Sequence, residues 1–589
     1  MADLIPEFGE LPRRAQVCGA RELYLSLFTE LEERVEYTEA GFHFVRVSLA
    51  QAPSISVGDD VIGSLLASPR APALPLSHFQ AVREYAPQGL ADGAWLRGFM
   101  LANVIENEVG MRVLSQLMTR FGGPGVQEGY APRYSALLRS LGINAGAVLR
   151  AGGRVCSEQA YEHALLGVAL GLFPSTYGAE TLGYNLWMCA RGPCPALERA
   201  LPELEREGAH LHYLTLHDRE RMLQLAKQAV ELLPREQYAR VARGFAAAEA
   251  SYARWQAHAA GAAFSELQDA YLPPQEREAL EQFAFTRYGT LGNTELYHCF
   301  VNIDLHPAAR LVAKEYAGTV FARIADIFAS DERLHSREPP RYSEREIAEI
   351  VARQHQKNVA SRDVPNNSLA SSDSDEAVKG IQEVFDGCWV QGFADVQRAD
   401  FEEYGWLFRI YASEHGDGDF AWNHCQIFRR AFAEQLGDDV MLPKSDPRLY
   451  DLFEIGFAAM VTMSVSLNTR HFMPEILGIN LGIESTGVGG SYMEQWKGAE
   501  QEGNHWRALA WRLHNSIDNY ADGHTKWSLS AVQSFMKRVK DGSPAAVDEQ
   551  WGRLWRLWRC RDILVHGTLD EQAALDEYFA PPDAQPSAE

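Results

Sequence analysis

Three segments in the second half of this 589-residue chain set carboxylates and imidazoles among apolar neighbours, where an unpaired charge is costly to bury. The first, EHGDGDFAWNH, runs from Glu414 to His424. Its GDGD core should break a helix, with Asp419 suited to cap the next one, so that two residues ten apart can turn towards one point. The second, EILGINLGIESTG, carries Glu484 on a helix whose other residues are nearly all apolar or small. The third, HNSIDNYADGH, places His514 and Asp518 at i and i+4, on one helix face. His524 falls off that face. Ten residues at about 100° each leave it about 80° from His514, so the helix has to distort around Asp522 and Gly523.

Three carboxylates and three imidazoles form a mixed oxygen and nitrogen donor set. Such sets suit iron or manganese in open, redox-active sites, whereas structural zinc favours thiolates or closed four-ligand shells. Six protein ligands fit two metals better than one, because carboxylates bridge and open positions must remain for dioxygen. These six residues do not form the Glu-x-x-His pairs on two helices that ferritin-like bundles use, so the arrangement is a different one.

The elements that must position these residues read as helices. Apolar residues recur at helical spacing, as in ERMLQLAKQAVELL from Glu220, and alternating β-branched runs are few, so the chain is expected to be all-α. In DEQWGRLWRLWRCRDIL, Trp551, Trp555 and Trp558 form a stripe that reads as core packing or a helix interface.

An internal repeat organises the chain. DGAWLRGF from Asp92 matches DGCWVQGF from Asp386, LLRSLG ending at Gly142 matches FAEQLG ending at Gly437, and ETLGYNLWMC from Glu180 matches EILGINLGIE from Glu475. These keep an offset of 294 or 295 residues, while RELYLSLFTEL near Arg21 and TELYHCFVNIDL near Thr294 are offset by 273. The second copy has therefore gained a segment, and the polar run SRDVPNNSLASSDSDE marks a flexible insertion over 361–378. The domains expected are 1–262 and 263–589, two tandem helical bundles.

The repeat acts as an internal control. Glu414 corresponds to Arg120, Glu484 to Cys189, and His424 to Gly129 or Tyr130; His514 meets His212, but Asp518 and His524 meet Leu216 and Met222. The first copy is thus expected to be structural or regulatory, without a metal site. His210, His212 and His217 read as ordinary surface or core histidines, and a structural metal at Cys189 and Cys194 is disfavoured.

The EHGDGD, NH, NLGIE and HxxxDNxxxGH segments resemble, in the same order, the ligand segments of the heme-oxygenase-like diiron oxidases and oxygenases, the iron-containing redox enzymes. The likeness covers about residues 290 to 560, and the first copy more loosely. It implies two tandem heme-oxygenase-like bundles and gives ligand roles to Glu414, His424, Glu484, His514, Asp518 and His524. It also implies two Fe(II) ions with dioxygen as co-substrate. The reactions implied are N-oxygenation, oxidative carbon-carbon cleavage or desaturation of a small metabolite such as an amino acid or amine derivative. Nitrogen-oxygenating members often carry a further carboxylate upstream; FDGCWVQGFAD has no Glu there, leaving Asp386 or Asp395. The rival readings are a cofactor-independent enzyme of thiaminase-like or quinone-cofactor-synthase-like type, and a non-enzymatic metal-binding scaffold.

Composition narrows the partners. A net charge of −24 repels a phosphate backbone, so nucleic acid and anionic membranes are poor partners. The longest apolar stretches, such as ALLGVALGLF from Ala164, reach about half the roughly 20 residues of a spanning helix. The amino terminus has no basic region followed by an apolar run, and the eight cysteines lack CxxC spacing. A cytoplasmic protein with a small-molecule substrate is expected, with a homodimer left open.

Overall fold

The computed structural model describes residues 7–69, 76–123, 127–153, 155–191, 216–261, 267, 270–330, 341–363, 381, 383–436, 442–453, 455–485 and 488–559. The fold is all-α, as the apolar spacing predicts; the two-residue strand pairing among the described residues joins Gly122–Gly123 to Gln127–Glu128. No described helix is long and apolar enough to cross a membrane. The insertion, beyond Asp363, lies outside the described residues, as do Cys194, His210 and His212.

By contacts the chain forms two compact units, neither of them one unbroken stretch. Unit 1 comprises Met1–Thr290, Val301–Val312 and Phe393–Asn423; unit 2 comprises Leu291–Phe300, Ala313–Gly392 and His424–Glu589.

In unit 1 the helix Pro174–Arg191 packs on Tyr238–Ala259. Glycine makes that crossing close, since a Cβ at Gly183 would lie 1.9 Å from the carbonyl oxygen of Val241. Buried Glu180, on the same helix, pairs with Arg240 at 2.6 Å and with Arg243. Trp95, in the 3-10 helix Ala94–Met100, donates from Nε1 to Asn185 Oδ1 at 3.0 Å.

Unit 2 contains the same devices. Its helix Met473–Glu484 packs on Val547–Arg559, with Gly478 facing the carbonyl of Leu554, where a Cβ would lie 2.3 Å away. Glu475 pairs with Arg553 at 2.7 Å, and Trp389 donates to Asn480 Oδ1 at 2.9 Å. Trp551, Trp555 and Trp558 are buried along Val547–Arg559, their successive rings 5.4 and 5.5 Å apart, so the tryptophan stripe packs the core. Asp92 and Asp386, one in each unit, are both followed by a glycine at positive φ, +93° at Gly93 and +71° at Gly387, a turn that side chains with a Cβ rarely adopt.

Candidate metal centre

The ligand segments end or begin helices, which is how residues from separate helices can converge. Glu414 closes the helix Glu402–Glu414 in unit 1 and is buried there. The GDGD break follows at once: Gly416, Asp417 and Gly418 all have positive φ. Asp419 does cap, accepting from the amide of Ala421 at 3.0 Å, but it caps the short turn Phe420–Trp422 and not the long helix. That helix, His424–Leu436, starts at the histidine itself.

Within unit 2 the imidazoles and carboxylates gather in two groups. In the first, Asp386 Oδ2 lies 3.0 Å from His514 Nε2 and 3.4 Å from His424 Nδ1, and the two rings are 5.1 Å apart. In the second, His524 Nδ1 lies 3.1 Å from Glu484 Oε2 and 3.3 Å from Asp518 Oδ1. All six residues are buried. His514 sits in the helix His505–Ile517 and Asp518 is its C-cap, so four residues, about 6 Å of helix rise, link the two groups.

The expected distortion before His524 is a full break. The helix stops at Ile517, and Asn519 accepts the amides of Ala521 and Asp522, both at 3.0 Å, which tightens the turn. Gly523 then passes so near the carbonyl of Ile517 that a Cβ would lie 2.0 Å from it. The next helix, His524–Gly542, opens on the histidine, which is thereby returned to Asp518. Thr525 Oγ1 stands 2.7 Å from the carbonyl oxygen of Glu484 and 2.8 Å from that of Asp518, tying both ligand-bearing ends to this helix.

Of the two upstream carboxylates, Asp386 joins the imidazoles. Asp395, in unit 1, instead caps the turn Val396–Arg398 through the amide of Gln397 at 3.2 Å. Composition alone did not separate them, and Thr525 carried no signal in the sequence that marks it out.

The donor chemistry fits a metal. His514 Nδ1 is 2.9 Å from the carbonyl oxygen of Ala510, which can only accept, so Nδ1 carries the proton. A neutral ring then points the Nε2 lone pair at Asp386 Oδ2, acceptor against acceptor. A second proton or a cation must stand between them. Orienting a ligand histidine through its other ring nitrogen is the usual second layer of a metal site. Donor atoms each about 2.1 Å from one ion and at right angles are about 3.0 Å apart, close to the separations here. Phe428, Tyr492 and Trp511 surround His514 at ring distances of 5.6, 5.9 and 6.3 Å and keep its flank apolar.

Residues 397–559 match the family of iron-containing redox enzymes. The matched stretch contains all six residues that the resemblance marked, and the all-α architecture agrees with that family's heme-oxygenase-like helical fold. No curated protein and no solved structure gives a significant match. The match and the buried carboxylate and imidazole groups support an iron-containing oxidoreductase.

Proposed function

We propose that this chain is a non-haem diiron oxidase or oxygenase that uses dioxygen to oxidise a small metabolite, an amino acid or amine derivative. The observation that carries the proposal is the pair of buried carboxylate and imidazole groups in unit 2, one helical turn apart at His514 and Asp518. Asp386, His424 and His514 would hold one ion; Glu484, Asp518 and His524 would hold the other. The resemblance gives Glu414, buried at its own helix end, a ligand role as well.

Bound ferrous iron supplies the electrons that activate dioxygen. The chain's own residues do the rest. The carbonyl of Ala510 holds the His514 ring in one tautomer with Nε2 facing inward, and Thr525 fixes the ends of the helices that bear Glu484 and Asp518. Phe428, Tyr492 and Trp511 pack ring against ring beside His514.

We also propose that the amino-terminal region is a degenerate copy without metal. In support, Arg120 is buried at the position corresponding to Glu414, paired with Asp92 and 3.6 Å from Cys189 Sγ. Burial raises the Cys189 pKa, with Arg120 opposing, so this residue stays a thiol.

The test is metal content. The chain reconstituted with ferrous iron should hold two irons, and Glu484→Ala or His514→Ala should weaken binding by at least about 10–100-fold. Unchanged iron stoichiometry and dioxygen consumption in both variants would overturn the assignment.

A further inference from the structure

Two thiols flank the ligands in unit 2. Cys388 opens the 3-10 helix Cys388–Phe393 two residues after Asp386, and Cys425 directly follows His424. Both are buried, at 1% and 0% exposure, and their sulfurs lie within 4.8 Å of each other. Cys425 Sγ also lies 3.3 Å from the carbonyl oxygen of Asp386, so the pair is joined to the backbone of a ligand segment. A disulfide holds its sulfurs about 2.05 Å apart, so the bond forms with a change of side-chain rotamer. The repeat adds an independent observation. At 294 residues before each cysteine stand Ala94 and Ala131, so the copy that lacks the ligands lacks both thiols as well.

We propose that Cys388 and Cys425 are a dithiol–disulfide couple that delivers two electrons to dioxygen at the adjoining metal centre. The inference rests on the metal assignment above. Two S–H bonds break and one S–S bond forms; the two electrons and two protons pass to dioxygen, giving one hydrogen peroxide per disulfide. Burial favours this local oxidant over one from bulk solvent. An enclosed thiol reacts slowly with external oxidants, and both of these are buried.

The experiment uses the full chain, reduced and loaded anaerobically with ferrous iron, then exposed to air without substrate. Zinc-loaded and metal-free samples are the controls, and metal content is measured on each. The iron-loaded chain should lose two thiols and about 2 Da of mass, with peptide mapping joining Cys388 to Cys425. The controls should keep both thiols, and Cys388→Ala and Cys425→Ala should each abolish the mass loss. Intact thiols in a chain that has bound iron overturn the couple and leave the metal site standing. Equal thiol loss in the zinc and metal-free samples overturns the local oxidant. A chain that binds no iron overturns the metal assignment and the couple with it.

Discussion

Units 1 and 2 answer the same electrostatic problem in opposite ways. Each buries an aspartate just before a left-handed glycine, Asp92 in one and Asp386 in the other, and each pins a tryptophan to an asparagine beside it. In unit 1 the charge is met by a cation that the chain carries itself. The Arg120 guanidinium, 3% exposed, pairs with Asp92 and lies 4.7 Å over the Trp95 ring. In unit 2 the ion pairs formed by Asp386, Glu484 and Asp518 are with imidazoles, which can give up their protons and become metal ligands. A fixed guanidinium closes a site permanently, whereas imidazoles leave the positive charge to be supplied by an ion. On the repeat reading, Arg120 stands where the other copy has Glu414, and Cys189, Leu216 and Met222 stand where it has Glu484, Asp518 and His524, so the first copy carries its own cation and lacks most of the ligands.

The largest effect is therefore expected from removing that internal cation. Arg120→Ala would take the guanidinium from buried Asp92 and should cost about 3–5 kcal/mol of unit 1 stability, read by urea unfolding. Iron stoichiometry should not change. An Asp92→Asn, Arg120→Met double variant removes both charges and should recover much of the loss. If Arg120→Ala were neutral, the contrast between a built-in and an added cation would fail.

A smaller effect sharpens the shared scaffold. Asn185→Ala and Asn480→Ala each take the acceptor from a buried tryptophan Nε1, and each should cost about 1–3 kcal/mol. The partners of these asparagines differ, since Asn185 donates to Gln116 at 2.9 Å and Asn480 to Ser528 at 2.8 Å. Comparable losses would show that the tryptophan bond is what the two units have in common. A loss confined to one variant would break the likeness.

Much of this was legible because helical spacing and ligand chemistry are both local signals. The apolar period marks the helices, and carboxylates or histidines within apolar runs stand out by their cost of burial. The choice between Asp386 and Asp395 was not legible. FDGCWVQGFAD winds as 3-10 turns entered through the left-handed Gly387, so α-helical counting does not tell which aspartate turns inward. The break before His524 was half legible. Angular spacing requires a distortion, but only the approach of Gly523 to the Ile517 carbonyl makes it a complete restart.

Thr525 shows the limit of sequence most directly, and it carries the smallest prediction. A threonine in the first turn of a helix is commonplace. Here its single hydroxyl proton lies within reach of two carbonyls, Glu484 at 2.7 Å and Asp518 at 2.8 Å, and serves one at a time. Thr525→Val keeps the shape and removes the donor, which should cost about 0.5–1.5 kcal/mol of stability. Because the loosened segments carry Glu484 and Asp518 and not Asp386, the second ion should be the one that weakens. Ferrous titration should then resolve two unequal sites, with the group at Asp386, His424 and His514 unaffected. A uniform weakening of both ions would mean that the two groups are set by one shared scaffold, and the one-turn separation between His514 and Asp518 would no longer divide the centre.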